Sequence, residues 1–323
     1  MLLKPLATVL DIQRMSTEDG PGLRTTLFLK GCNLRCAWCH NPESIDARPV
    51  VQWNKVRCIG CHSCNEVCQN GALGFSEHGI YITAENCALC LACVEECPSG
   101  ALNVKGEVFE AEQLLTELLK DRAYFGEDGG VTISGGEPLL QPEAVTWLLE
   151  ALKKAGLNTA LDTAGLVKTD LLLRALRHAD LLLYDIKLMD DAEHRRHTGG
   201  GNAQILENLV KTAPYLKESG KKLWIRTPII PGATDSKENI RAIAAFLAGS
   251  VHDAAERWEL CAFNNLCRHK YESLDWDWGY KETALVTDHA MAELLLLAAS
   301  ELKGSNIEVY GTGSTRSTST GKE

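Results

Sequence analysis

The chain has 323 residues, of which 45% are hydrophobic and 24% charged; this excludes wholesale disorder and fits one large domain or two ordinary ones. Its 33 basic and 43 acidic side chains leave a net charge of −10, so no nucleic-acid partner is expected, because sequence-independent binding needs an excess of Lys and Arg. No apolar run approaches the roughly 18 residues of a membrane span, and the mildly apolar start, Met1 to Leu10, has no small-residue cleavage site. A soluble, cytoplasmic protein with no membrane partner is the expectation.

In chain order, the first expected strand is Arg24–Lys30, and the loop directly after it carries Cys32, Cys36 and Cys39 in the spacing C-x3-C-x2-C. The stretch 50–107 then contains a duplication. Cys58, Cys61, Cys64, Cys68 and Gly71-Ala72-Leu73 return at one fixed offset as Cys87, Cys90, Cys93, Cys97 and Gly100-Ala101-Leu102. Beyond it, expected helices at 111–122, 142–155, 168–178, 203–219, 237–248 and 288–302 alternate with expected strands at 130–134, 157–162, 181–187, 222–229, 257–262 and 306–310. In the 203–219 stretch, for example, Ile205, Leu209, Thr212, Ala213 and Leu216 fall on one helical face. Such alternation predicts an α/β fold with parallel strands and crossover helices, about six units that could close into a full or partial barrel with its site at the strands' C-terminal ends. An open doubly wound sheet is the alternative. The expected division is a core of 1–49 and 108–310, an insert of 50–107, and a disordered Gly/Ser/Thr-rich tail over 311–323.

Of 13 cysteines, 11 lie between Cys32 and Cys97. In a reducing compartment such crowding points to metal rather than to disulfides. Each half of the repeat reads C-x2-C-x2-C-x3-C, the spacing of two-cluster ferredoxins, in which the fourth cysteine of each run ligates the other cluster. One cluster would take Cys58, Cys61, Cys64 and Cys97; the other, Cys87, Cys90, Cys93 and Cys68. Structural zinc sites use separated cysteine pairs instead, so the spacing favours iron–sulfur. Cys97 is followed by Pro98 as in that motif, whereas Cys68 is followed by Gln69. Cys32, Cys36 and Cys39 make only three ligands, which leaves one iron of a four-iron cluster open to a small molecule unless His40, Cys261 or Cys267 completes the set. Cys261 and Cys267 read more simply as packing residues, and His62, His78 and His252 as surface or structural histidines.

The run from Gly31 to Glu43, with Trp38 before the third cysteine, resembles the cluster loop of radical S-adenosylmethionine (SAM) enzymes. Asp19-Gly20-Pro21-Gly22 and His40-Asn41 resemble specifically the activating enzymes of glycyl radical enzymes. Gly135-Gly136-Glu137-Pro138, Asp162-Thr163-Ala164-Gly165, Asp185-Ile186-Lys187, Arg226 to Gly232 and Ala262 to Cys267 continue the likeness in family order across nearly the whole chain.

The resemblance implies a partial (β/α)6 TIM-like barrel with an inserted two-cluster ferredoxin-like domain, three 4Fe–4S clusters and SAM. It also implies an oxidoreductase that cleaves SAM to methionine and a 5′-deoxyadenosyl radical, which takes a hydrogen atom from a glycine of a partner protein. That partner would be a dehydratase, a decarboxylase or a carbon–heteroatom lyase, with a flavodoxin or ferredoxin as electron donor. By resemblance Trp38, His40, Gly135, Gly136, Glu137, Ile186, Lys187 and Arg226 approach SAM, and Asp162, Thr163 and Asp185 bind a monovalent cation near it. Asp19 meets the partner peptide. Asn264 stands where the formate-lyase activating enzymes have a SAM-contacting histidine, and its amide can hydrogen-bond both ways. The plainer readings are a turn-capping Asp162 and a surface pair of Lys187 with Asp185 or Asp190. At the level of the whole chain, the competing functions are an iron–sulfur electron carrier and a radical SAM enzyme acting on a small molecule.

Overall fold

The computed structural model describes residues 4–317 apart from positions 78 and 84. Strand β1 (Leu6–Ser16) runs antiparallel to β2 (Arg24–Leu29). The chain then leaves this sheet for a small unit built of β3 (Val50–Trp53), α1 (Ser63–Glu66), β4 (Leu73–Ser76), β5 (Gly79–Ile82), α2 (Ala92–Glu95) and β6 (Leu102–Lys105). In it β3 pairs with β6 and β4 with β5. It has its own apolar cluster of Val51, Leu73, Ile80 and Leu102 around Cys64 and Cys93.

The chain rejoins the main sheet as β7 (Glu107–Glu110), antiparallel to β1. From there strand and helix alternate: α3 (Ala111–Leu119), β8 (Gly130–Gly135), α4 (Pro142–Lys154), β9 (Asn158–Thr163), α5 (Thr169–Leu176), β10 (Leu181–Asp185), α6 (Asp191–Thr198), α7 (Ala203–Glu218), β11 (Lys222–Ile229), α8 (Lys237–Ser250), β12 (Arg257–Ala262), α9 (Arg268–Ser273), α10 (Asp288–Glu301) and β13 (Glu308–Thr312). The sheet has nine strands in the order β13-β12-β11-β10-β9-β8-β2-β1-β7. Every pair from β2 to β13 is parallel, as crossover helices require. Among the described residues β7 and β13 are edges.

Side chains along the parallel strands alternate between two environments. On β10, Leu182 and Tyr184 join the large core beneath the helices, whereas Leu181 and Leu183 pack with Ala160 and Trp224 on the other face. Towards the C-terminal strand ends that second face turns polar, through Ser134, Asp162, Asp185, Arg226 and Glu259. This two-sided burial is what makes the central strands near-continuous apolar runs.

Two expectations need correction. The chain's mildly apolar start is a full strand beside the sheet edge: its only buried apolar residues are Ala7 and Val9, and its alternation is diluted by Asp11, Gln13 and Arg14. The tail expected to be disordered from Gly311 is ordered to residue 317, because β13 continues to Thr312 and Arg316 exchanges backbone hydrogen bonds with Val286 and Asp288 at 2.9 and 3.1 Å. Residues 318–323, and His78, lie outside the described residues.

Arg24, fully buried at the start of β2, ties three strands together. Its guanidinium donates to Thr132 Oγ1 (2.7 Å), the Val131 carbonyl (3.0 Å), Asn158 Oδ1 (3.1 Å) and the Pro21 carbonyl (3.2 Å). Burial lowers its pKa to about 10, against the pull of Asp19 and Asp180, so it stays charged near neutrality. Arg24→Met should lower the thermal unfolding midpoint by the equivalent of about 3 kcal/mol, because the acceptors lose their donors in a dry setting. A midpoint within 1 °C of the unsubstituted protein would contradict this role.

Candidate functional site

The loop after β2 has no ladder of its own, and its neighbours pair its backbone. Gly31 and Cys32 donate to the carbonyls of Ser44 and Ile45 at 2.7 and 3.1 Å, and Arg35 and Ala37 to those of Thr198 and His197, at the end of α6, at 2.6 and 2.9 Å. The end of β8 lies directly against this loop, with Glu137 N donating to the Gly31 carbonyl at 2.7 Å. At Gly136 a Cβ would fall 2.2 Å from the Gly31 oxygen and 3.0 Å from Cys32 Cβ, so only glycine allows the approach. Gly135, at φ +131°, has a left-handed backbone, and its Cβ would meet Leu29 N at 2.2 Å.

The loop brings Cys32, Cys36 and Cys39 into one electrostatic neighbourhood, with Lys187 acting on Cys32 and Cys36. Burial pushes all three thiols up, Cys36 to about 11. Thiols this poorly solvated favour a cation to neutralise them as thiolates, which is the donor chemistry of an iron–sulfur site. The three proposed completing ligands are engaged elsewhere. His40 Nε2 donates to the Asn264 carbonyl at 2.9 Å, the Cys267 thiol lies 3.8 Å from the Cys39 carbonyl, and Cys261 faces Arg226.

Opposite the loop, successive strands present charge from their C-terminal ends. Asp162 accepts from Ser134 Oγ at 2.6 Å and lies 3.7 Å from Arg226; Glu259 approaches the same guanidinium at 3.5 Å. Arg226 also donates to the Glu18 carbonyl at 3.3 Å, beside Asp19, whose carboxylate accepts from Ser16 and Thr26 at 2.6 and 2.7 Å. Burial raises Asp162 to about 6, with Arg226 opposing. Burial would lower Lys187, but its ion pair with Asp185, together with Cys36, holds it above its ordinary value. Lys187 and Asp185 do pair, then, with the Lys187 side chain buried rather than at the surface.

Several residues expected near SAM have protein partners of their own. The Glu137 carboxylate is committed: it accepts from the Thr163 hydroxyl at 2.7 and 2.8 Å and from Leu139 N and Ala164 N at 3.1 Å each. Burial raises it to about 7 despite these bonds. It therefore braces the β8 and β9 loops and occupies the Thr163 hydroxyl. Trp38 is buried between His197 and Tyr280 at ring distances of 5.9 and 6.5 Å, and the Ile186 side chain lies in the core. Asn264 Oδ1 accepts from Leu266 N at 3.1 Å. Sequence reasoning missed Glu259 and Glu18. A lone acid within the otherwise apolar Trp258-Glu259-Leu260 was the available signal for the first; a backbone carbonyl leaves none for the second.

In the small unit the halves share backbone as well as sequence. His62 and Leu91 both take left-handed φ, at 65° and 63°, immediately before α1 and α2. Such conformations cost about 1–2 kcal/mol in non-glycine residues, and their recurrence at matched positions marks a geometry both halves need. One cavity is lined by Cys68 from the first half and Cys87, Cys90 and Cys93 from the second. Cys64 has Cys61 and Cys97 as electrostatic neighbours. Burial raises Cys68 and Cys97, but surrounding backbone N–H groups outweigh it and lower both; Ala72 N and Ala101 N donate to these sulfurs at 3.3 and 3.2 Å. His62 packs against Phe75 with ring centroids 3.8 Å apart and planes tilted by 34°, and His252 pairs with Asp253 at 3.1 Å.

Residues 26–244 match the radical SAM superfamily. The indoleacetate decarboxylase activating enzyme of Tractidigestivibacter scatoligenes is 38% identical over 254 residues, 75% of this chain and 79% of its own. The (2S)-3-sulfopropanediol dehydratase activating enzyme of Klebsiella oxytoca is 38% identical over 276 residues, 84% and 86% of the two chains. A radical SAM methyltransferase structure from Sphaerobacter thermophilus superposes with a TM-score of 0.52 at 14% identity, over 95% of this chain and 77% of that one, a likeness of fold alone. No helix among the described residues is long and apolar enough to cross a membrane.

The charge web has a testable sign. Arg226 opposes the burial that raises Asp162, so Arg226→Met should move the Asp162 titration further up from about 6, read from carboxyl carbon shifts with Asp162→Asn for assignment. A titration that stays put or moves down would break the proposed pairing.

Proposed function

The chain belongs to the radical SAM superfamily, among activating enzymes of glycyl radical enzymes, and from that premise we propose how its own residues carry the reaction. One electron splits SAM into methionine and a 5′-deoxyadenosyl radical, which takes a hydrogen atom from a glycine of the partner, giving 5′-deoxyadenosine and a glycyl radical. Cys32, Cys36 and Cys39 would hold a four-iron cluster, which would supply that electron and bind the amino and carboxylate groups of SAM. The observation that carries this reading is the mutual electrostatic influence of three half-buried thiols on one loop, while His40, Cys261 and Cys267 have other partners.

Around that position, Gly135 and Gly136 let the strand end approach SAM by backbone, and Glu137 holds that backbone in place through Thr163. Lys187 offers a buried ammonium to SAM. Asp162 and Asp185 offset the sulfonium charge and are the acids available to a monovalent cation, with the Thr163 hydroxyl already bonded to Glu137. Arg226 fixes the Glu18 carbonyl, and with it the Asp19 turn on which the partner's glycine segment would lie. The surrounding sheet is read as a partial (β/α)6-type barrel in a core of 1–49 and 108–310.

The 50–107 insert is read as a two-cluster ferredoxin-like domain, bringing the total to three 4Fe–4S clusters. Its support is the shared backbone of the halves and the cavity uniting Cys68 with Cys87, Cys90 and Cys93. Cys87 and Leu89 border the same cleft as Pro42 and Glu43, at the end of the cluster loop. An electron from a flavodoxin or ferredoxin donor in the cytoplasm would pass inwards along this side of the insert. The partner falls among dehydratases, decarboxylases and carbon–heteroatom lyases.

Replacing Cys32, Cys36 and Cys39 together by Ala should lower iron from about twelve to about eight per chain and abolish SAM cleavage; zinc, or loss of all iron, would contradict the assignment. With a partner deuterated at its target glycine, the label should appear in 5′-deoxyadenosine. Radical formation on the partner without such transfer would rule out direct abstraction.

A further inference from the structure

A stacked aromatic pair outside every motif named above holds the loop of Cys32, Cys36 and Cys39. Tyr271, on α9, and Trp278, just beyond it, lie ring on ring with centroids 4.7 Å apart and planes 7° apart. Both are buried, at 7% and 2% exposure, and each turns its one polar hydrogen onto that loop. Tyr271 Oη donates to the Cys39 carbonyl at 2.8 Å, and Trp278 Nε1 to the Ala37 carbonyl at 2.9 Å. Lys270 extends the same contact, donating to Asn41 Oδ1 at 2.5 Å and pairing with Glu43 at 3.0 Å.

These bonds complete what α6 begins. The end of α6 accepts loop N–H groups at Arg35 and Ala37, while the aromatic pair donates to loop carbonyls from another element. Any apolar side chain could cover the loop, but it would leave the part-buried Ala37 carbonyl unpaired and the Cys39 carbonyl with only the weak Cys267 thiol donor at 3.8 Å, at about 1–3 kcal/mol for a lost partner. Two ring donors locked by stacking fix the positions of the carbonyls, and therefore of the Cys39 sulfur. They also aim the positive ends of two dipoles at the region where negative charge grows on reduction.

We infer that Tyr271 and Trp278 are positioning residues of the SAM reaction, setting both the shape of the three-cysteine loop and the ease with which the group it holds is reduced. The inference rests on the cluster reading given under Proposed function.

The test uses the full-length, iron-loaded protein and its Tyr271→Phe and Trp278→Phe variants, which keep aromatic rings but lose the donors. Potentiometric titration followed by electron paramagnetic resonance separates the component that changes on adding SAM, which reports the open site, from components that do not. Iron content should be unchanged. The SAM-responsive component should become about threefold harder to reduce in each variant, a fall of about 28 mV for one electron, while the other components stay fixed as an internal control. A SAM-responsive component that titrates as in the unsubstituted protein in both variants would overturn the inference. A SAM-responsive component missing even from the unsubstituted protein would instead overturn the cluster reading, and this inference with it.

Discussion

Three thiols can share one inorganic group only if the irregular loop that carries them is held rigid, and this loop cannot hold itself. Between Gly31 and Cys39 its own backbone supplies only the Cys39-to-Cys36 turn bond, at 3.0 Å. The Arg35 guanidinium adds bonds to the Cys32 and Leu34 carbonyls, and the rest comes from outside: the Ser44 and Ile45 carbonyls, the carbonyls at the end of α6, the glycine pair closing β8, and the ring donors Tyr271 and Trp278. Buried amides that lack partners cost as much as a lost hydrogen bond, so these elements must occupy their places for the site to exist. The fold can be seen as the device that delivers them from distant parts of the chain to one loop.

The same strands do two jobs. Their alternating side chains bury aliphatic residues beneath the helices, and their C-terminal ends present Ser134, Asp162, Asp185, Arg226 and Glu259 to the pocket. Buried charges are tolerable only as neighbours of opposite sign. Arg226 therefore lies between Asp162 and Glu259, and Lys187 against Asp185. On the proposed reading, a cationic sulfonium substrate would meet carboxylates whose own cations can be shared. The pairing keeps the pocket preorganised without making it neutral everywhere.

Much of this was legible in the residues, and the gaps have physical causes. The parallel strands were readable because two-sided burial makes them continuous apolar runs, and the cysteine halves because duplication preserves spacing. β1 was not, since an edge-side strand with one half-exposed face carries Asp11, Gln13 and Arg14 through its length. α6 was missed because Asp191-Ala192-Glu193-His194-Arg195-Arg196-His197 has almost no apolar stripe; it is helical through its Asp190 cap, which accepts from Glu193 N at 2.9 Å, and i,i+4 pairs such as Asp191–Arg195. Glu137 was expected to face SAM, but its carboxylate turns to Thr163. A sequence identifies a Gly-Gly-Glu-Pro turn without saying which way the acid points. Tyr271 and Trp278 gave no signal, because a donor aimed at a backbone carbonyl leaves no pattern in residue types.

The proposed function depends on Cys32, Cys36 and Cys39 holding an iron–sulfur cluster that binds SAM itself. Electron–nuclear double resonance on the reduced protein, with SAM carrying nitrogen-15 in its amino group and carbon-13 in its carboxylate, addresses this directly. Strong couplings from both labelled atoms to the reduced cluster, lost when Cys36 is replaced by Ala, are the predicted result. Tight SAM binding with neither label coupled to the cluster would contradict the account.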